Sequence, residues 1–292
     1  MAQLGPRRAS IRPTGAWAGA WAGACAVALA ASLGAGAARA TDHCAAPGWT
    51  AAAEANAGSL ETLVWAPFGR AETGWAAYAP ALSQTLATRC PPGSEGFAAA
   101  LAAWQGREGL PADGLMTPVA FEAFRVRSQA ARPFVARVAA GACPETAEVI
   151  AAFRPAEALG DKAVWAHPAA LDAWRRMVAA AREEEPAIAA DPDALRPFSG
   201  YRSPTLDAAR CLAEGNCDGI ARARCSAHRT GMALDLYVGH AEGFGADSTA
   251  APSRRHMSGT AAYGWLVANA ARFGFVNYLF EPWHWEWTGR AP

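Results

Sequence analysis

The run Met232-Ala233-Leu234-Asp235-Leu236-Tyr237-Val238 constrains this chain more than any other stretch. Its composition is that of a β-strand. With a period of two, Met232, Leu234, Leu236 and Val238 share one face, and Ala233, Asp235 and Tyr237 share the other. The apolar face has to be core, so Asp235 projects from the opposite one. A carboxylate buried there needs a cation or several hydrogen-bond donors. Gly231 permits a bend just upstream, so His228 can fold back towards Asp235. A histidine and an aspartate converging across a bend suit a divalent metal ion.

A second block, Glu281-Pro282-Trp283-His284-Trp285-Glu286, supplies another imidazole and another carboxylate. In a straight strand Glu281 and His284 would face opposite sides, so Pro282 has to mark a bend or helical turn if both reach one site. Trp283, Trp285 and Trp287 alternate with Glu286 and also fit a plain aromatic strand packed by one face. Two histidines and one aspartate leave the fourth tetrahedral position of zinc to water. The metal lowers the pKa of that water to about 7, and a nearby carboxylate can take the proton. A third block, Ser199-Gly200-Tyr201-Arg202-Ser203-Pro204, places Arg202 at the end of a strand. Ser203 then caps, and Pro204 opens, a helix that stops at Gly215-Asn216. A fixed guanidinium here can stabilise an oxyanion or grip a substrate carboxylate, or it can sit in a surface salt bridge. Cys225 and His228 have the spacing of half a zinc finger, but no second pair of matching spacing follows. His240 and His256 read as loop or surface residues.

As a set, these blocks resemble the zinc D-alanyl-D-alanine carboxypeptidases and dipeptidases of the vancomycin-resistance type. The pattern S-x-H-x-x-G-x-A-x-D is carried by Ser226, His228, Gly231, Ala233 and Asp235, and E-x-W-H by Glu281, Trp283 and His284. S-G-Y-R-S precedes them, and the stretch from Tyr263 to Tyr278 resembles the helix and strand before the second motif. The resemblance spans roughly residues 150–287. It implies that His228, Asp235 and His284 bind one Zn²⁺ per chain. It implies that Glu281 is the general base and later the acid for the leaving amine. Arg202 would stabilise the developing oxyanion and bind substrate, with Ser226 helping to hold it. The implied reaction is hydrolysis of a peptide bond in peptidoglycan stem peptides, releasing terminal D-Ala. An endopeptidase cutting an L-Ala–D-Glu or cross-bridge bond on the same scaffold is the alternative. A non-catalytic wall-binding protein is the alternative of another class, and the intact Glu281 favours the enzyme.

The rest of the chain reads as an exported frame for this chemistry. Arg7, Arg8 and Arg12 precede an apolar run from Gly15 to Ala38, which ends in the A-x-A site Ala38-Arg39-Ala40. This order marks residues 1–40 as a secretory signal peptide, with an uncleaved anchor helix as the alternative. The expected location is periplasmic or cell-wall associated. Cys25 lies in the apolar run, and Cys44, Cys90, Cys143, Cys211, Cys217 and Cys225 read as disulfides. Sequence does not choose among their pairings, but the crowding of Cys211, Cys217 and Cys225 suggests at least one bridge among those three.

Residues 41–140 read as a helical region. Phe97, Leu101 and Trp104 recur at helical spacing behind Ser94, and Leu110 to Gly114 is a turn. Thr117-Pro118 then opens a helix through Phe121, Phe124 and Val126. Helix, turn and helix resemble small peptidoglycan-binding domains, although Thr117 and Ala120 replace a glycine and a threonine of that pattern. A hairpin that merely packs is the alternative. Arg132-Pro133 and Gly141 to Pro144 read as a linker to a peptidase domain over 145–292, whose long helix runs from about Pro168 to Glu184. No later segment is long and apolar enough to span a membrane. With 52% hydrophobic and 18% charged residues the chain is not disordered. Its formal charge is zero, and all the charges before residue 41 are arginines, so the remainder is acidic. That excludes a nucleic-acid partner as an expectation, and a monomer is expected. The expected fold is α+β: a small antiparallel sheet with flanking helices carrying the zinc site, behind a small helical region.

Overall fold

A computed structural model describes residues 44–139, 143, 145–214 and 225–289. The signal segment, Cys217, Gly141-Ala142 and the helix stop at Gly215-Asn216 lie outside the described residues. No helix among the described residues is long and apolar enough to cross a membrane.

The first half is built of α1 (Thr50–Thr62), α2 (Ala79–Thr85), α3 (Glu95–Arg107), α4 (Pro118–Ala130) and α5 (Pro133–Ala139). A short hairpin, β1 (Val64–Trp65) with β2 (Glu72–Thr73), joins α1 to α2. The helix starts follow local chemistry. Ser94 Oγ accepts from the Phe97 amide at 3.3 Å, and Thr117 Oγ1 accepts from the Ala120 amide at 3.2 Å. Phe97, Leu101, Trp104, Phe121 and Phe124 enter the core, whereas Val126 stays exposed. The intervening turn needs Gly114 in the left-handed region, φ +69°, where a Cβ would lie 2.7 Å from the Ala98 carbonyl oxygen. The buried Asn56 amide clamps this turn, donating to Gly114 O and accepting from Met116 N, both at 2.8 Å. A Cys44–Cys90 disulfide closes this half.

The second half is α+β. Helices α6 (Pro168–Glu184), α7 (Pro186–Ala190), α8 (Pro204–Glu214), α9 (Ala251–Ser258) and α10 (Ala261–Asn269) flank an antiparallel four-stranded sheet. Its strands are β5 (Pro197–Ser199), β6 (Ala233–Leu236), β7 (Phe275–Asn277) and β8 (His284–Trp287), in the order β5-β6-β8-β7. A separate two-residue pair joins β3 (Ala151–Ala152) to β4 (Trp165–Ala166). The α6 stripe of Leu171, Trp174 and Met177 is buried with Leu234, Leu236, Trp283 and Trp285 in one apolar cluster. That fixes the other face of β6 and β8, with Asp235 and Glu286, towards the site. In the β6–β8 register Asp235 stands opposite His284.

The two halves are fastened together. Arg254 on α9 pairs with Glu72 at 3.0 Å and donates to the Tyr78 hydroxyl at 2.6 Å. Phe68 lies 5.7 and 5.4 Å from the rings of Tyr278 and Phe280, and Leu279 belongs to the core of the first half. Arg132-Pro133, expected to begin a linker, is instead a buried junction. Pro133 opens α5 at a position that needs no amide proton, and Arg132 turns inward with only 7% of its surface exposed. Cys225 pairs with Cys143, 82 residues away, rather than with its near neighbours. Cys211 is itself disulfide-bonded.

Candidate active site

His228 reaches the site on a single 3₁₀ turn, Ala227–Thr230. Ser226 caps the turn, its Oγ accepting from the His228 amide at 3.2 Å. Gly231 ends it at φ +65°, and a Cβ there would lie 2.8 Å from the His167 amide nitrogen. The chain therefore bends back as the sequence requires, and His228 comes over Asp235. At the other edge, the His284 amide donates to the Glu281 carbonyl at 2.9 Å. This turn through Pro282 aims Glu281 and His284 into the same cleft, although they stand three residues apart.

His228, Asp235 and His284 are all buried, and one ligand atom from each lies within 4.8 Å of the others. The outer ring nitrogens decide what the inner ones can do. His228 Nδ1 lies 2.6 Å from the Gly200 carbonyl, which can only accept, so Nδ1 carries the proton and Nε2 keeps its lone pair. His284 Nε2 lies 3.3 Å from Glu286 Oε1. Glu286 is held ionised: burial opposes its charge, but the His284 hydrogen bond and the Arg132 guanidinium pull its pKa down to about 2. His284 Nε2 therefore donates to it, and Nδ1 faces Asp235. The inner nitrogens sit 3.3 Å (His228 Nε2) and 2.9 Å (His284 Nδ1) from the two Asp235 oxygens. Neutral rings would put two lone pairs and a carboxylate around one point, which requires a cation there. The donor set, with each ring backed by an outer acceptor, fits zinc.

Without a metal, protons fill that role. Burial disfavours a charged His284, yet its hydrogen bonds to Asp235 and Glu286 raise its pKa to about 9. Burial would raise the Asp235 pKa, but the His228 charge and the bonds from both rings hold it well below the usual carboxylate range. Glu281 behaves oppositely. Burial pushes its pKa up, with the His284 charge only partly offsetting this and the Asp235 charge adding to it. No hydrogen bond or ion pair holds its carboxylate among the described residues, which leaves it available as a proton acceptor.

Arg202 is 6% exposed and lies just beyond β5. Its Nη1 donates to Ser226 Oγ at 3.3 Å and pairs with Asp207 at 3.4 Å, and Asp207 also takes Arg229 at 3.2 Å. The Arg202 backbone amide donates to the His228 carbonyl at 3.1 Å, tying the two residues together. Arg202, Ser226, His228, Asp235, Glu281 and His284 all line one cleft of about 1080 Å³. Trp165, Phe198 and Leu206 form apolar parts of its wall, and Arg70 and Arg132 enter it from the first half. His240 and His256 are exposed, in line with their reading as loop or surface residues, and Cys225 is committed to its disulfide, so it is not half of a zinc finger with His228. Sequence reasoning passed over Gly200, Asp207, Glu286 and Arg132. For Glu286 a signal existed: it stands two residues after His284 and so shares its face.

No curated protein matches the chain. Residues 164–290 match the family model for D-alanyl-D-alanine carboxypeptidase, VanY. That segment holds Arg202, Ser226, Glu281 and the whole His–Asp–His cluster. Over residues 164–290 the chain is similar to the D-alanyl-D-alanine carboxypeptidase (VanY) family, a family of peptidase-type hydrolases.

Proposed function

We propose that the protein is an exported zinc metallopeptidase that removes terminal D-Ala from peptidoglycan stem peptides, using one Zn²⁺ held by His228, Asp235 and His284. The observation that carries this reading is the arrangement of three facing acceptors beside Glu281, whose carboxylate has no hydrogen bond or ion pair among the described residues, in one cleft. Bound zinc would supply a Lewis acid and a water of lowered pKa. Glu281 takes the proton of the attacking water on a carboxylate oxygen, favoured by its raised basicity, and returns it to the leaving amine nitrogen. Arg202 donates to the carbonyl oxygen as negative charge develops there, its guanidinium kept in place by Asp207 and Ser226. Ser226 has a second task, holding substrate at the cleft wall. The cleft volume suits a stem peptide better than a free dipeptide. The disulfides support an oxidising compartment. The helical first half, with its likeness to wall-binding domains, would add affinity for the sacculus.

The test is Glu281→Gln, which keeps size and hydrogen bonding but cannot accept the proton. Zinc content should stay at the parental level, while D-Ala release from a stem pentapeptide falls by about 10²–10⁴. A variant as active as the parent refutes the mechanism. Mass analysis of digested sacculi separates the reactions: free D-Ala supports the carboxypeptidase, and larger fragments the endopeptidase. A parent that binds zinc and wall yet cleaves neither substrate is a binding protein.

A further inference from the structure

We propose that Arg132, in the helical first half, is a positioning residue for the metal centre: it locks Glu286, and Glu286 fixes the ring of His284. The helical half is then part of the catalytic machinery rather than a detachable module. This inference rests on the metal-centre reading above.

The geometry is a chain of directed bonds. Arg132 Nε and Nη2 both donate to Glu286 Oε1, at 2.8 and 2.6 Å. Its third nitrogen, Nη1, donates to Gln129 Oε1 at 3.0 Å, so α4 itself orients the guanidinium. The guanidinium carbon lies 4.1 Å from the centroid of the Tyr278 ring, whose backbone amide donates to the His284 carbonyl at 3.0 Å. The other carboxylate oxygen, Oε2, accepts from the Phe134 amide at 3.0 Å, on the first turn of α5. Both oxygens of Glu286 are thus held from the helical half, and Oε1 keeps one direction for His284 Nε2. Arg132 and Glu286 bury all but 8% and 3% of their side chains. A buried pair of this kind is weak evidence for stability, because desolvation offsets its Coulomb gain. An acceptor held behind a metal-binding histidine, by contrast, sets ring orientation and typically changes metal affinity tenfold to a hundredfold. If Arg132 is removed, Glu286 keeps only the Phe134 amide from the helical half, so Oε1 can swing away from Nε2 and the ring that turns Nδ1 towards Asp235 is loosened.

The experiment uses the full chain, stripped of metal and titrated with Zn²⁺ against a competing chelator. A second readout is the visible spectrum of the Co²⁺-substituted protein, and melting temperatures are followed in parallel. Arg132→Ala should weaken zinc binding by about 10–100-fold and shift the cobalt spectrum. Arg132→Lys should restore part of the affinity, since a point charge replaces two directed bonds. The Arg132→Ala/Glu286→Gln double variant should be little weaker than the worse single one, because both cut the same chain of bonds. Arg255→Ala breaks a different contact between the halves, the ion pair with Glu61, and should keep parental zinc affinity. Parental affinity and spectrum in Arg132→Ala overturn the proposal, as does an equal loss in Arg255→Ala. Should Arg132→Ala fail to fold, Glu286→Gln alone decides, with parental affinity again the refuting result. A parent that takes up no zinc fails the metal-centre reading instead.

Discussion

Gly200→Ala tests how tightly the backbone behind the site is built. Gly200 is not in the left-handed region, so the substitution probes space alone. A Cβ at this position would lie 2.2 Å from the Trp165 carbonyl oxygen, 3.0 Å from Val164 Cγ1 and 3.2 Å from the Trp165 carbonyl carbon. The first partner is backbone and cannot rotate aside. Ordinary contact needs roughly 3.4 Å, so the two segments must part by about 1 Å. The adjacent Tyr201 amide donates to the same Trp165 oxygen at 2.5 Å, which opposes that movement. A 1 Å displacement of the Gly200 carbonyl stretches its 2.6 Å bond from His228 Nδ1 to about 3.6 Å, beyond a useful hydrogen bond. Two effects should follow. Overpacking should cost about 1–3 kcal/mol, which for a chain of this size lowers the melting temperature by roughly 2–12 °C. The freed imidazole should weaken zinc binding by about 10–100-fold. Chelator competition and a melting curve on the same preparation measure both. Parental zinc affinity in a folded Gly200→Ala protein would refute the claim that this carbonyl orients His228.

Arg202→Lys should retain zinc by elemental analysis yet lose about 10²-fold or more in turnover, because an ammonium cannot match the planar fork that serves the oxyanion; unchanged turnover would remove Arg202 from the mechanism. In the zinc-free protein His284 has its pKa raised to about 9 from an ordinary 6.5, so its stabilising contribution is complete below about pH 6.5 and is lost as pH rises through 9. The melting temperature of that form should fall between pH 7 and 9.5, and zinc affinity should climb over the same range as the metal replaces the proton. A flat zinc-affinity profile contradicts it. Replacing Cys143 and Cys225 together by serine reopens a loop of 82 residues and should cost up to about 4 kcal/mol in denaturant titration. An unchanged midpoint would show that the bridge contributes nothing to stability.

What the sequence made legible was what depends on short spans. Ser94, Thr117-Pro118 and the Leu171–Trp174–Met177 stripe mark their helices because capping and helical periodicity act within a few residues. The His228–Asp235–His284 cluster and Glu281 were legible as a motif, and the turn inferred at Pro282 is there. Asp235 was legible as a problem in physics, a carboxylate on a strand whose other face had to be core. Arg132 was not, since its partner lies 154 residues on and nothing local separates a buried arginine from a charged one in a linker. Cys225 shows the same limit: its nearest cysteines are close in sequence, but the fold brings Cys143 to it. Gly200 could be read as flexible, but not as a contact point for β4, because that contact exists only once the chain has folded.

The pairing of Arg132 with Glu286 also bears on how the chain folds. Asp235 and His284 close a loop of 49 residues, whereas Arg132 and Glu286 close one of 154. Loop-closure entropy grows as the logarithm of length, so the longer closure costs only about 1 kcal/mol more. Its effect is chiefly on rate and order, since distant contacts are searched for slowly. The helices of the first half and the β6–β8 pair can form early from nearer contacts. The buried arginine–glutamate contact must wait until both have formed and docked. Zinc capture during refolding should therefore lag the gain of helical signal, and its rate reports the docking step, which secondary-structure probes do not register.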